Sequence, residues 1–213
     1  MNFKNLAIIA IAFFSFAKVQ AQVTFKPGIN AGINLATITN NDLDSKTDFY
    51  IGGFGALKLG RVYTLQPELT YSRQGAKGTA NMGTFSTYDP QTNSYIITNE
   101  SGNVNVSLQY ISALTINKFN FTENFYVLVG PFADILIADK IKVNSQSSGS
   151  NINKGEDIDL GIVAGLGYRF NNNIAFEARI KKGLTNAYLN YADERGDGTN
   201  LVFQFGAAYT FGK

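Results

Sequence analysis

The chain contains no histidine and no cysteine among its 213 residues. Without histidine, a Ser–His–Asp or Cys–His catalytic arrangement is excluded, and without either residue so are the usual zinc sites. The lack of cysteine also rules out disulfides, so stability has to come from burial and from backbone pairing. We therefore expect no cofactor, no metal site and no enzyme that depends on a histidine base.

Long apolar runs are also scarce, and the one near the start of the chain is too short to be a comfortable membrane helix. Leu6–Ala17 is twelve residues without a charge, whereas a spanning helix needs about 20. Val19 and Ala21 place small side chains at the −3 and −1 positions of a cut after Ala21, and a positive charge precedes the run. The pattern predicts a signal peptide at 1–21, with residues 22–213 forming one exported domain.

The expected mature chain has no excess of charge of either sign. Removing residues 1–21 takes away Lys4 and Lys18 and no acid, which leaves sixteen basic against sixteen acidic residues. A neutral chain without basic clusters lacks the electrostatic footprint of a nucleic-acid-binding protein. We therefore expect no nucleic-acid partner.

Glycine, tyrosine and phenylalanine are abundant, and apolar residues recur at every second position, which indicates strands. Eight strands are predicted, at 23–36, 49–60, 63–75, 104–117, 124–138, 158–170, 173–185 and 200–212. Short turns follow every second strand, at 60–62, 118–123 and 171–173. Long polar loops follow the others, at 37–48, 76–103, 139–157 and 186–199. Short turns at one end and long loops at the other are typical of an outer-membrane barrel whose turns lie in the periplasm.

The two faces of each strand decide between a soluble and a membrane barrel. One face is bulky and apolar and the other is small or polar, as in the final strand of residues 200–212. An eight-stranded soluble barrel would have to fit the bulky face inside, where there is little room. We therefore predict a transmembrane barrel whose lipid-facing side chains include Leu65, Leu69, Phe176, Phe203, Phe205, Tyr209 and Phe211.

The opposite face would then carry charges into the lumen. The expected lumen-facing network consists of Lys58, Glu68, Asp134, Arg169, Glu177, Arg179 and Lys181. Paired carboxylates such as Glu68 and Glu177 are able to act as acid and base, but buried charges need partners, and we favour a network of salt bridges. Lys58 depends on a choice of register, because the strand at 49–60 alternates poorly. Pro27, Pro67 and Pro131 lie inside predicted strands, where we expect bulges or irregular pairing.

Several stretches resemble a known family. They are LQPELTYSRQGAKG at 65–78, NFYVLVGPFADIL at 124–136, DLGIVAGLGYRF at 159–170, FEARIKKGLTN at 176–186 and LVFQFGAAYTF at 201–211. Together they are similar to the porin-family, PorT-like outer-membrane β-barrel domain of Gram-negative bacteria. The resemblance implies an all-β, eight-stranded antiparallel up-and-down barrel like the small OmpA and OmpX types. It also implies insertion by the barrel-assembly machinery, although Gly212 and Lys213 follow the C-terminal aromatic here.

Three functions remain open at this point. The first is a structural or adhesion-type barrel with a lumen filled by side chains, the second a narrow porin or solute channel, and the third a component of envelope transport or secretion. Eight strands favour the first and third, because open pores are typical of sixteen or more. We expect a monomer in contact with outer-membrane lipids and, through its loops, with other envelope proteins. The loop segment 193–200 resembles a calcium loop only faintly, since the distal glutamate is missing.

Overall fold

The computed structural model describes residues 24–39, 43–144, 153–154, 156–189 and 198–212. Within them the chain forms strands, and no helix is long and apolar enough to cross a membrane. The strands are β1 (Thr24–Ile38), β2 (Asp44–Lys58), β3 (Tyr63–Asp89), β4 (Ser94–Asn120), β5 (Phe125–Asn144), β6 (Asn153–Lys154), β7 (Ile158–Arg169), β8 (Ile174–Leu189) and β9 (Gly198–Thr210). The signal peptide predicted at 1–21 and most of segment 193–200 lie outside the described residues.

Eight of these strands close into a ring. Each pairs antiparallel with its neighbour in the order β1, β2, β3, β4, β5, β7, β8 and β9, and β9 pairs back onto β1. The two-residue strand β6 precedes β7 and, among the described strands, pairs only with the end of β8. The prediction of an all-β, eight-stranded antiparallel barrel is confirmed.

Tight turns join the strands at one end of the ring, at 59–62, 121–124 and 170–173. The last is fixed by Asn171, whose Oδ1 accepts hydrogen bonds from the backbone N–H groups of Asn173 (2.9 Å) and Ile174 (2.7 Å). The backbone N–H of Thr210 donates to the carbonyl of Asn173 (2.7 Å), so the end of β9 is tied to the same turn. Both described ends of the chain therefore lie at the short-turn end of the ring.

The distribution of side chains is the reverse of that in a soluble protein. Along β3, Gln66, Glu68 and Gln74 are buried inside the ring, while Leu69 is 61% exposed on its outside. The same alternation runs around the ring, and the exposed outer set includes Phe25, Ile29, Ile33, Ile51, Ile135, Ile162, Leu166, Phe176, Phe203 and Phe205. An outward apolar band around a polar interior is the arrangement of a transmembrane barrel.

Glycines on neighbouring strands make room for large aromatic rings inside this narrow ring. Gly32 and Gly206 face each other across β1 and β9, and a Cβ on either would collide with the side chain of Tyr50. A Cβ on Gly167 would likewise collide with the ring of Tyr126. The interior is therefore filled by aromatics packed over glycines as well as by polar groups, a pairing that also fixes strand register.

Two strands are much longer than predicted. The loop expected at 76–103 is largely strand, because β3 continues to Asp89 and β4 begins at Ser94. Polar residues such as Thr, Ser and Asn support a hairpin whose two faces are both in water, and such a hairpin shows no apolar period. The segment 118–120, expected in a turn, is likewise the end of β4.

The three prolines disturb pairing less than expected. The register is unshifted at all of them, but pairing is irregular at two: the β2–β3 ladder lacks two residue pairs at Pro67 and the β4–β5 ladder lacks two at Pro131, and in each case one of the missing pairs is the proline's own. The register shifts lie elsewhere, for example between Gln109 and Tyr110 on β4 and between Ser45 and Tyr50 opposite β3. A proline tolerates these positions because only one of its two neighbours loses a hydrogen bond.

Candidate functional site: the barrel interior and the projecting hairpin

A four-residue ionic cluster crosses the interior near its middle. Arg179 on β8 binds Glu68 on β3 with two parallel hydrogen bonds, from Nη1 to Oε2 and from Nη2 to Oε1, each 2.8 Å. These strands lie on opposite sides of the ring, so the pair spans the lumen. A bidentate arginine–carboxylate pair is among the strongest hydrogen-bonded pairs in proteins, and both side chains are almost fully buried.

The same arginine also binds Glu177, its neighbour on the inner face of β8, through Nε (2.8 Å) and Nη2. The other oxygen of Glu177 accepts from Lys118 Nζ (2.7 Å) and from the Tyr126 hydroxyl (2.5 Å). Lys118 in turn lies 4.7 Å from the centre of the Tyr126 ring. The ionic cluster, Glu68, Lys118, Glu177 and Arg179, therefore contains two acids and two bases and is neutral in sum.

A second pair lies closer to the long-loop end. Lys181 Nζ contacts both carboxylate oxygens of Asp134, at 3.0 and 2.9 Å, and Gln74 donates to the same carboxylate at 2.8 Å. Asp159 is the register partner of Asp134 on β7 and is also buried. It accepts from Asn200 Nδ2 (2.9 Å) and from the backbone N–H and hydroxyl of Thr185.

Apolar clusters fill the interior on both sides of these polar groups. Towards the long-strand end, the cluster consists of Ile38, Leu43, Ala76, Val104, Val106, Leu108 and Tyr110. Towards the short turns, it consists of Leu114, Ile116, Tyr126, Leu128, Phe132 and Val163. Large buried side chains thus occupy the lumen along its length, which is the packing expected of a narrow eight-stranded barrel.

The predicted lumen residues do not all meet. The structure brings Glu68, Glu177 and Arg179 together, and it places Asp134 with Lys181 in the separate pair. Lys58 differs from the expectation: it is the last residue of β2 and is exposed at the rim of the ring. Arg169 also lies at that rim, half-buried, where it donates to the Glu123 carbonyl and to Asn120 Oδ1.

Sequence analysis missed two interior residues, Lys118 and Tyr126, and placed Asp159 on the inner face without its partners. Lys118 was missed because the predicted strand stopped at residue 117, and Tyr126 because the strand at 124–138 alternates poorly. Asp159 has the inward parity, but nothing in its local sequence marks its partners. Of the residues expected to face lipid, Leu65 is half-buried and the others are exposed, namely Leu69, Phe176, Phe203, Phe205, Tyr209 and Phe211.

The second feature of interest is the projecting hairpin, residues 79–101. In the part of the chain that the structure describes, the β2–β3 ladder ends at Lys77 and the β4–β5 ladder at Asn103, so beyond these residues the only described pairing of β3 and β4 is with each other. The hairpin extends roughly 35 Å along the strands, at about 3.3 Å per residue. Among the described residues, no third strand pairs with either edge of its outer part, residues 85–98.

The tip of the hairpin is organised by Asp89. Its carboxylate accepts hydrogen bonds from the Gln91 backbone N–H (2.9 Å) and the Thr92 hydroxyl (2.8 Å), which together hold the pKa of Asp89 below its usual range. Below the tip, the rings of Tyr88 and Tyr95 contact each other with centroids 5.4 Å apart. The hairpin is therefore a defined structure outside the ring.

The closed antiparallel ring, polar inside and apolar outside, defines a transmembrane barrel of the bacterial outer-membrane class. A family model, the outer membrane protein beta-barrel domain, matches residues 20–189. The chain belongs to this family, and the family is one of outer-membrane proteins.

Several solved barrels are similar to this chain. Neisserial surface protein A has a TM-score of 0.49 and 16% identity, over 88% of this chain and 97% of that one. Ail, the attachment invasion locus protein of Yersinia pestis, has a TM-score of 0.45 and 12% identity, over 87% and 98%. OprG from Pseudomonas aeruginosa has a TM-score of 0.41 and 9% identity, over 92% and 100%. A comparison with curated protein sequences finds no match.

Proposed function

We propose that this outer-membrane barrel is a monomeric interaction protein with a closed lumen, which presents the projecting hairpin to an extended segment of another envelope or extracellular protein. The observation that carries the proposal is that no other described strand pairs with either edge of the hairpin along residues 85–98. An unpaired strand edge is a template for a further strand, and the chains that use it gain main-chain hydrogen bonds.

The side chains of the hairpin favour such a partner. Tyr95 and Ile97 are 69% and 70% exposed, and Tyr88 and Ile96 are also exposed to solvent. Residues 90–98 carry no charge at all, whereas free edges that must avoid partners are usually protected by charges. This segment also lies above the ring, where membrane lipid does not cover it.

The closed lumen supports an interaction role over a narrow porin. The ionic cluster and the two apolar clusters put large buried side chains across the ring at successive heights. A barrel of this strand number holds side chains or one small ligand, rather than a water-filled pore. The proposal includes no catalytic activity, since the carboxylates of the interior are engaged in ion pairs and hydrogen bonds.

The proposal also includes export of the protein and its insertion into the outer membrane. Residues 1–21 act as the signal peptide and residues 22–213 form the mature domain, which the barrel-assembly machinery inserts. The resemblance to PorT-like proteins supports a role for this domain alongside other envelope components. These statements rest on the sequence patterns described above.

The proposal is tested by site-specific photo-crosslinking in living cells that export the full chain. A photoreactive residue at Ile97 should give a discrete protein adduct, whereas the same residue at Ile135, on the outer face of the ring, should give none. The adduct should disappear in the Tyr95→Lys variant, because a charge on the edge opposes strand addition. That variant should keep the wild-type stability of the barrel, since Tyr95 lies outside the ring.

The absence of any protein adduct from correctly inserted barrel would contradict the interaction role. An adduct that persists unchanged in Tyr95→Lys would contradict recognition through the strand edge. Mapping the crosslinked partner peptide by mass spectrometry adds a second requirement, that it be an extended segment.

A further inference from the structure

The outer surface of the ring is not uniformly bulky. On β7, β8 and β9 the small side chains of Ala164, Ala178 and Ala207 alternate with large ones, and they leave two adjoining grooves of about 610 and 440 Å³. Both grooves are lined by Leu166, Ala178 and Phe205, so they form one continuous outer groove. It runs along β8 on the face that the barrel presents to lipid.

Lys182 lies at the end of the outer groove that is nearer the long loops. The rung of Ile180 and Phe203 lines the groove, and the next rung towards the long-loop end pairs Lys182 with Leu201. On β8 the buried residues have odd numbers, so the even-numbered Lys182 projects outward. A cation therefore follows an apolar groove directly, on the same outer face.

The ammonium group of Lys182 is held by two hydroxyls rather than by an acid. Nζ donates to Thr199 Oγ1 (2.5 Å) and to Thr39 Oγ1 (3.3 Å), which leaves one of its three N–H donors for a further partner. Within the described residues no carboxylate forms an ion pair with it. Arg73, a cation at the same end of the ring, differs because Asp48 lies 3.3 Å away.

We propose that the outer groove and Lys182 form a binding site for one phosphate-bearing membrane lipid. An acyl chain lies in the outer groove, and the lipid phosphate meets the ammonium group with the two threonine hydroxyls beside it. The chemistry of the site matches a lipid, because an apolar groove on the outer face leads directly to a cation with a free N–H donor. Lysines near the ends of membrane segments reach for the interface in this way, and each attracts anionic lipid by about 1 kcal/mol.

The inference rests on the membrane-spanning barrel of the proposed function, and the test separates the two. The chain contains no tryptophan, so a single introduced tryptophan reports its own surroundings. The full barrel, carrying Phe203→Trp at the groove, is refolded into phosphatidylcholine vesicles. Equal small fractions of brominated phosphatidic acid or brominated phosphatidylcholine are then compared as quenchers. Ile135→Trp, on the exposed outer face of β5, is the matched reporter.

We expect phosphatidic acid to associate about fivefold more strongly than phosphatidylcholine at Phe203→Trp, and both lipids to quench Ile135→Trp equally. Lys182→Gln should abolish the preference, whereas Lys142→Gln, which removes an exposed lysine from β5, should preserve it. Ala178→Leu, which fills the outer groove, should weaken quenching by both lipids at Phe203→Trp.

Equal quenching by the two lipids at Phe203→Trp would overturn the lipid site while leaving the barrel in the membrane. A preference that survives Lys182→Gln would also overturn it. If neither brominated lipid quenched either reporter, the outer face would not contact lipid, and the membrane placement itself would fail along with the site.

Discussion

Replacing Arg179 with methionine is expected to lower the free energy of unfolding by about 3–5 kcal/mol. The substitution keeps a long side chain in place but removes the only cation that Glu68 contacts in the described structure. It also removes one of the two cations bound to Glu177. A buried carboxylate left without its partner bears the full cost of desolvation, so the loss exceeds what the ion pair itself contributes. Urea unfolding of the barrel in vesicles measures the change.

Two further variants separate this explanation from a general effect of lost charge. Arg73→Met removes a cation whose ion pair with Asp48 is partly exposed, and it should cost at most about 1 kcal/mol. Arg179→Met combined with Glu68→Gln leaves Glu177 and Lys118 as a balanced pair, so the double variant should recover part of the stability. Equal losses for Arg73→Met and Arg179→Met would contradict the buried ionic cluster.

Replacing Phe205 with arginine is expected to destabilise the inserted barrel by about 2–4 kcal/mol. Phe205 lies in the middle of β9, projects outward and is 46% exposed, with Ile33 and Ala178 beside it in register. In hydrocarbon the introduced guanidinium loses its hydration. Among the described residues of the outer surface around it, no acidic side chain is present to pair with it. Unfolding of the refolded variant from vesicles, compared with wild type, gives the value.

Two control variants accompany Phe205→Arg, one with an apolar side chain at the same position and one with the same charge on the projecting hairpin. Phe205→Leu keeps the surface apolar and should cost much less than the arginine. Ile97→Arg places the same charge on the projecting hairpin, where the residue is 70% exposed to water, and should leave barrel stability within about 0.5 kcal/mol. If the two arginine variants behaved alike, the outer face of the ring would not be in hydrocarbon.

The ring and its outer face were predictable because the sequence pattern that indicates a strand is local. Along the final strand, Phe203, Phe205 and Tyr209 alternate with small or polar residues, and a period of two indicates a strand whatever its partners. The short turns were equally readable, since they interrupt the pattern for only a few residues. Closure of the ring then follows from an even number of strands that each need two neighbours.

The interior and the projecting hairpin were less predictable, for two different physical reasons. Glu68 and Arg179 are 111 positions apart, and only the closed ring with its particular register brings them together. No local pattern specifies that register across the lumen. The hairpin was assigned to a loop because strands with both faces in water show no apolar alternation, although Tyr95, Ile96 and Ile97 do favour extended structure.

The closed lumen is the central claim, and single-channel recording of the refolded barrel in a planar bilayer tests it most directly. Large side chains of the ionic and apolar clusters lie across the ring, so we expect no steady, discrete openings from protein whose folded state is verified by its gel mobility before and after boiling. A porin recorded in the same bilayer serves as the positive control. Reproducible unitary openings from the folded barrel would contradict the account and would make a narrow porin the better description.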